Sequence, residues 1–427
     1  MEFLEIRQKI KRTRKELNMK QKDFEDVNIS RALISMIEIG KRKPSKENME
    51  SIIYKFKKKS KELNLEFNLD LSYFQSSAKD DAQVYCTGML NRIISIDEII
   101  AVIEIAKKYA LALTLADAYL KLADIRFEKL DYANSQVDYI NALVNYKNID
   151  CKSKITYIYD MLGRCCINQA QNIQALNYFN FAYHYSLLYK DEEMKKKSIY
   201  NIALCHRKLD KIDDALKYID IYISICDKEK DFLIYSYANI LKANCYDCKG
   251  ELISAIEVLN DLLEHTIDTK NLVFGYIYNN LGALYCKQGY FEKSLQCFNM
   301  SEEIRSEKDI QNLSHTLLEK SSVFIKQNLY EESITLIKSS IDLAIKYNDI
   351  EYILKGHYQL IKIYKTLKFD KEVKENYIRI LNLLTDSGSK NYKDEIVKIC
   401  VELLRIFLSE KDIQQSLKIL DVLETSY

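Results

Sequence analysis

The chain has 427 residues, 48% of them apolar, and a formal net charge of +1, with nine glycines, one proline and eleven cysteines. That length exceeds what one core holds, so two or more domains or a repeat array are expected. Near-absence of Pro and Gly, with no strand-like runs between turn residues, excludes sheet and disordered classes and leaves an all-α chain. No apolar run approaches the ~20 residues of a membrane span.

The net charge hides an uneven distribution. Residues 1–65 carry 18 Lys/Arg against 10 Asp/Glu, and the remainder carries 45 against 52. A basic head on a mildly acidic body suggests that only the head meets polyanions. Met1–Ile10 is charged and amphipathic rather than leader-like, and the cysteines are scattered, so a cytoplasmic protein with reduced thiols is expected.

From the N-terminus, Phe3, Ile6, Ile10, Thr13 and Leu17 recur at helical spacing and predict the buried face of a first helix. Arg7, Lys11, Arg12, Arg14 and Lys15 fall mostly on its other side. Asp23–Val27 predicts a short second helix with Phe24 and Val27 inward. Asn28-Ile29 is a polar break, and Ser30 is placed to cap a third helix over Arg31–Ile39. In that helix Leu33, Ile34, Ile37 and Ile39 are the expected apolar positions, and Arg31, Ala32, Ser35, Met36 and Glu38 the freer ones. Gly40 ends it, followed by Lys41-Arg42-Lys43 and Pro44, the chain's one proline. Glu47–Leu63 predicts a basic fourth helix, and Asn64–Ser77 a connector.

Two short helices around a fixed turn are the layout of a DNA reader. A helix in the major groove reads bases with side chains near its N-terminus, which points to Ser30, Arg31, Ala32 and Ser35, with Arg31 suited to a bidentate guanine contact. A Gln21 amide at the start of the second helix, and Lys41, Arg42 and Lys43, would hold phosphates. Gln21, Ser30, Ile34-Ser35, Ile37-Glu38, Gly40 and Arg42-Lys43-Pro44-Ser45 resemble the Cro/C1-type (XRE) helix-turn-helix family over about residues 3–60. One departure is Glu25, which stands where that family packs an alanine against the recognition helix.

Beyond residue 78 the chain repeats itself. Tyr278, Leu281, Gly282, Tyr285, Gly289, Tyr290, Ser294, Phe298 and Ser301 match the tetratricopeptide (TPR) pattern. A second unit has Tyr159, Leu162, Gly163, Ala170, Ala175, Phe179 and Ala182. Others run through Ile202-Ala203 and Ala243, with weaker ones near Ile361 and Leu404. The small residue recurs at Ala123, Gly163, Ala203, Ala243, Gly282 and Ser321, mostly about 40 residues apart. Small residues let paired helices approach closely, and no hairpin buries its face alone, so the units must stack. The expected fold is therefore all-α: a Cro/C1-type helix-turn-helix domain (1–65), a linker (66–77) and a right-handed TPR superhelix (78–427). On its inner face Arg164, Asn168, Asn201, Arg207, Asn244, Asn279, Asn280 and Lys287 are candidate peptide ligands. The amides suit a peptide backbone and the cations a carboxylate.

The combination of this head with about eight such repeats resembles the RRNPP family of quorum-sensing regulators. That resemblance implies a cytoplasmic homodimer that binds double-stranded operator DNA and a short signalling peptide, with control of sporulation, toxin or virulence genes. It also implies that asparagines hold the peptide backbone, Asn201 and Asn280 being the nearest matches. Alternatives are a TPR scaffold acting on a partner protein, or a phage lysis–lysogeny regulator of the same architecture. No enzyme chemistry, cofactor, metal or membrane partner is expected. Cys245-Tyr-Asp-Cys248 has no second CxxC or paired histidines nearby, and His206 takes a consensus aromatic position.

Overall fold

A computed structural model describes residues 2–92, 95–228, 230–264, 271–386 and 392–426, and no strand occurs among them. The chain divides into two compact units, Met1–Lys195 and Lys196–Tyr427.

The first unit opens with α1 (Ile6–Glu16), a 3-10 helix (Gln21–Val27), α2 (Arg31–Glu38), α3 (Lys46–Glu62) and α4 (Leu71–Gln75). Ile10, Leu17, Met19, Phe24, Ile29, Ile34, Ile37, Met49, Ile52, Phe56 and Phe74 form one core. Phe24 meets Phe56 edge-on at 5.5 Å, and Phe56 lies 5.7 Å from Phe74, geometries that ring quadrupoles favour. The short helix expected over Asp23–Val27 begins two residues earlier and is 3-10. Asp23 accepts from the Lys20 N–H at 2.7 Å and pins its first turn, and Asn28 closes it in the left-handed region at φ 61°. Glu25 is exposed, so the carboxylate in the alanine place costs the packing nothing. Phe3 departs from the expected face of α1: it precedes the helix, and its ring lies 5.6 Å from Tyr85 and 5.5 Å from Tyr109. Residues 66–77 are also packed, with Phe67, Leu69, Leu71 and Tyr73 set against the head core.

Three hairpins follow in this unit: α5 (Ala78–Leu90) with α6 (Ile96–Lys108), α7 (Ala112–Glu128) with α8 (Tyr132–Asn148), and α9 (Ile155–Asn168) with α10 (Asn172–Tyr189). Ser77 caps α5 through a reciprocal pair with Asp80. α11 (Glu192–Lys208) crosses into the second unit. There the helices are α12 (Ile212–Ile225), α13 (Phe232–Cys248), α14 (Leu252–Glu264), α15 (Leu272–Gln288), α16 (Phe291–Lys308), α17 (Leu313–Lys326), α18 (Tyr330–Lys346), α19 (Ile350–Leu367), α20 (Asp370–Asp386), α21 (Lys393–Ser409) and α22 (Ile413–Ser426).

The repeating small residue does what close approach requires. A Cβ on Gly163 would stand 2.5 Å from the Phe179 ring, and one on Gly282 2.9 Å from the Phe298 ring. Both rings are buried. The turn between paired helices needs one left-handed residue. Among the described residues Gly250 and Gly289 supply it as glycine, while Leu130, Ala170, Asp210, Asn328, Lys368 and Lys411 adopt φ between 58° and 62°.

Candidate nucleic-acid interface and the first-helix face of the repeats

The candidate reading helix α2 is capped by Ser30, whose hydroxyl oxygen accepts from the Leu33 N–H at 3.2 Å. Gly40, at φ +78°, ends it. Arg31 and Ala32 are exposed in the first turn of the helix, and Ser35, near its middle, is half-buried. Lys41, Arg42 and Lys43 are exposed just beyond its other end. Among the described residues none of Arg31, Lys41, Arg42 or Lys43 is held in an ion pair, so their charge is available to an external anion.

Two positions at the C-terminal end of α2, Glu38 within it and Ile39 just beyond it, differ from expectation. Ile39 is half exposed, whereas Glu38 is only 7% exposed. Glu38 is the centre of a network. Arg14 donates through Nε to Oε1 at 2.6 Å and through Nη2 to Oε2 at 2.9 Å, and Gln21 Nε2 donates to Oε2 at 2.9 Å. A third Arg14 donor, Nη1, reaches the Met19 carbonyl at 2.8 Å. Burial pushes the Glu38 carboxyl up, but the hydrogen bonds from Arg14 and Gln21 outweigh it and hold the group below the usual carboxylate range. Gln21 thus sits where the phosphate role was expected, yet its amide nitrogen is given to Glu38. The network ties α1, the 3-10 helix and α2 together. The sequence pattern marks Gln21 and Glu38 as a motif without showing that Arg14 joins them.

In the first unit, Arg164 Nε is 2.8 Å from the buried Asp160, and Asn168 donates back to the Arg164 carbonyl at 3.0 Å. In the second unit the first helices α13, α15 and α17 meet side by side. The rings of Tyr237 and Tyr276 are 5.9 Å apart, and Lys287 Nζ lies 2.6 Å from Asp247. Asn201, Asn244, Asn279 and Asn280 are all half-buried. Asn201 and Asn280 share a register, each two residues before the small residue of its repeat. Asn280 donates to the Tyr276 carbonyl one turn back at 2.8 Å. Asn279 Oδ1 and Arg207 Nε are buried without any hydrogen-bond partner. Of the three candidate cations, Arg164 and Lys287 already face carboxylates, which leaves Arg207.

Sequence reasoning missed neighbours on this face. Arg305 is 2% exposed; it stacks 4.5 Å over the Tyr276 ring and donates to the Asn312 carbonyl. Burial lowers its pKa and raises that of the Glu319 carboxyl, against the pull of Lys355 and Lys287. Tyr237, Tyr276 and His315 recur 39 residues apart, a periodicity that could have revealed them.

His206 stacks on Tyr218 at 5.4 Å, in keeping with its aromatic position. Cys245 is buried and Cys248 exposed on one helix. Among the described residues no group of His, Cys, Asp and Glu could hold a metal ion, and no helix is long and apolar enough to cross a membrane.

Residues 10–60 match the HTH_3 helix-turn-helix family. No curated protein sequence compared with the chain matches it. Among solved structures, it resembles the apo form of the quorum sensor NprR from B. thuringiensis at 20% identity, covering 82% of this chain and 99% of that one with a TM-score of 0.50. It also resembles a Rap protein complexed with competence and sporulation factor at 13% identity, covering 89% and 98%, again with a TM-score of 0.50. At these identities the likeness is one of fold. Residues 10–60 are a helix-turn-helix domain, and the chain around them shares its all-α, TPR-type fold with the NprR and Rap structures.

Proposed function

We propose that the chain is a sequence-specific DNA-binding transcription regulator whose repeat body takes a short signalling peptide, and which acts in the cytoplasm as a homodimer. One observation carries the reading. The helix-turn-helix domain presents Arg31 and Ala32 at the open end of α2, with an unpaired Lys41-Arg42-Lys43 run at the other. That arrangement supplies base contacts and phosphate contacts from one rigid element.

The peptide follows from the second unit. A buried polar atom without a partner costs about 1–3 kcal/mol. Asn279 Oδ1 and Arg207 Nε are an acceptor and a donor in that state, and a peptide backbone offers both complements. The quorum sensor and the Rap protein complexed with competence and sporulation factor share this fold and support a signal-sensing role. A homodimer follows from specificity, because one head reads too few base pairs. α22 offers a surface for it: Ile413, Leu417 and Leu420 lie on one helical face and are 69%, 56% and 44% exposed.

The peptide arm is tested by selecting from a random heptapeptide library on the full-length protein. A recurrent motif should emerge, with at least tenfold weaker binding to Asn279→Ala by calorimetry. Failure to enrich any motif removes peptide sensing, and equal affinity removes Asn279 from the site.

A further inference from the structure

We propose that Lys9 is a positioning residue that locks the DNA-reading head onto the first hairpin of the body, so that the head, the connector and α5–α6 turn as one piece. Lys9 lies on α1 and is 1% exposed. A buried ammonium is tolerated only when its donors are satisfied, and here they are, by groups from outside the head's own helices. Lys9 Nζ donates to the Tyr73 carbonyl at 2.8 Å, to the Ser76 carbonyl at 2.8 Å and to Ser76 Oγ at 2.9 Å. It also sits 2.5 Å from the Asp81 carboxylate on α5. One side chain therefore joins three segments: α1, the connector and the first helix of the body.

A second tether lies beside it. The Phe3 N–H donates to Tyr109 Oη at 3.0 Å, and the Phe3 ring packs against Tyr85 and Tyr109. α1 is thus held to the body through Lys9 and to α2 through the Arg14–Glu38 pair. This makes an unbroken mechanical path from Asp81 through α1 to the helix that bears Arg31. A head on a free linker could reach half-sites at many spacings. A locked head converts any displacement of the body directly into half-site spacing. The consequence for regulation rests on the DNA-binding function proposed above; the lock itself does not.

The test uses the full chain without DNA. Spin labels are carried by a ketone-bearing amino acid at Glu25 in the head and Glu104 in α6, both exposed, which avoids the native cysteines. Double electron–electron resonance should give one narrow distance distribution for the wild type. Lys9→Met keeps the buried aliphatic stem and removes the charge. It should broaden that distribution at least twofold while leaving the far-UV circular dichroism unchanged. Asp81→Asn, which alters no head residue, should broaden it less, because the carbonyl acceptors remain. A Lys9→Met distribution as narrow as wild type, or a wild-type distribution already broad, overturns the lock. If Lys9→Met loses helicity, Asp81→Asn decides, and wild-type width then overturns it. A broadened distribution in a protein that binds no DNA would sink the proposed function and leave the lock standing.

Discussion

Replacing Glu38 with Gln should loosen the helix-turn-helix from within. The carboxylate side chain is 3% exposed and its partner Arg14 12% exposed, so solvent screening does little to weaken the pair. Glutamine is isosteric but turns one acceptor oxygen into a donor. That donor must then face Arg14 Nε, or Nη2 and Gln21 Nε2, all of which donate to Glu38 in the wild type. Removing one partner of a buried pair costs about 3–5 kcal/mol; because the amide oxygen keeps part of the bonding, about 2–4 kcal/mol is expected. Native-state hydrogen exchange of the α2 and 3-10 helix amides reads this locally. Their protection should fall roughly 30- to 700-fold, at a factor of ten per 1.4 kcal/mol. The pH dependence has a fixed sign. The folded carboxyl titrates below its ordinary 4.5, so its stabilisation is complete above that pH. It is lost as pH falls through the lower folded value. Glu38→Gln should lack that component. Protection within threefold of wild type at neutral pH would refute the network as the element that holds α2.

Gly163→Ala sets a Cβ 2.5 Å from the buried Phe179 ring. Overpacking of about 1–3 kcal/mol against a helix-propensity gain of about 1 leaves a net loss of up to roughly 2 kcal/mol in denaturant unfolding. Gly88→Ala in α5 meets nothing within 4 Å and should instead stabilise by about 0.5–1 kcal/mol; a reversed order contradicts the close-approach account. Leu130, 70% exposed at φ 62°, should give about 1 kcal/mol of added stability as Leu130→Gly, since relief of left-handed strain exceeds the entropy cost; a lower unfolding midpoint would count against it. Leu417→Glu should convert a dimer to a monomer by sedimentation equilibrium, and an unchanged mass rules α22 out of the interface.

The head was legible because its order of residues is specific. A capping serine, an apolar pair, a glycine and a basic run before the sole proline leave few alternatives. The repeats were legible through a small residue every 40 positions, whose purpose Gly163 and Gly282 display against their phenylalanines. What escaped the sequence has physical causes. Lys9 and Glu38 are charged, so composition assigns them to solvent, and the groups that pay for their burial are backbone carbonyls and a residue 24 positions away. Two hairpin turns escaped because Leu130 and Lys368 occupy left-handed positions where glycine would have marked them. Phe67, Leu69, Leu71 and Tyr73 alternate at every second position, a strand's period rather than a helix's, yet they seal the head core. On the repeat face Asn201, Asn244, Asn279 and Asn280 lie on α11, α13 and α15, the first helices of their hairpins. Their pairing with neighbouring carboxylates, as at Lys287 and Asp247, depends on contacts between repeats that no single repeat encodes.

A head that reads DNA sequence through α2 must sort random duplexes, which in vitro selection with the full-length protein measures. The wild type should enrich two related half-sites set about one helical turn, or a multiple of it, apart. Arg31→Ala, folded by circular dichroism, should keep salt-sensitive general binding and lose the enriched bases. A wild type that enriches no sequence, or an Arg31→Ala variant that enriches the same one, would contradict it.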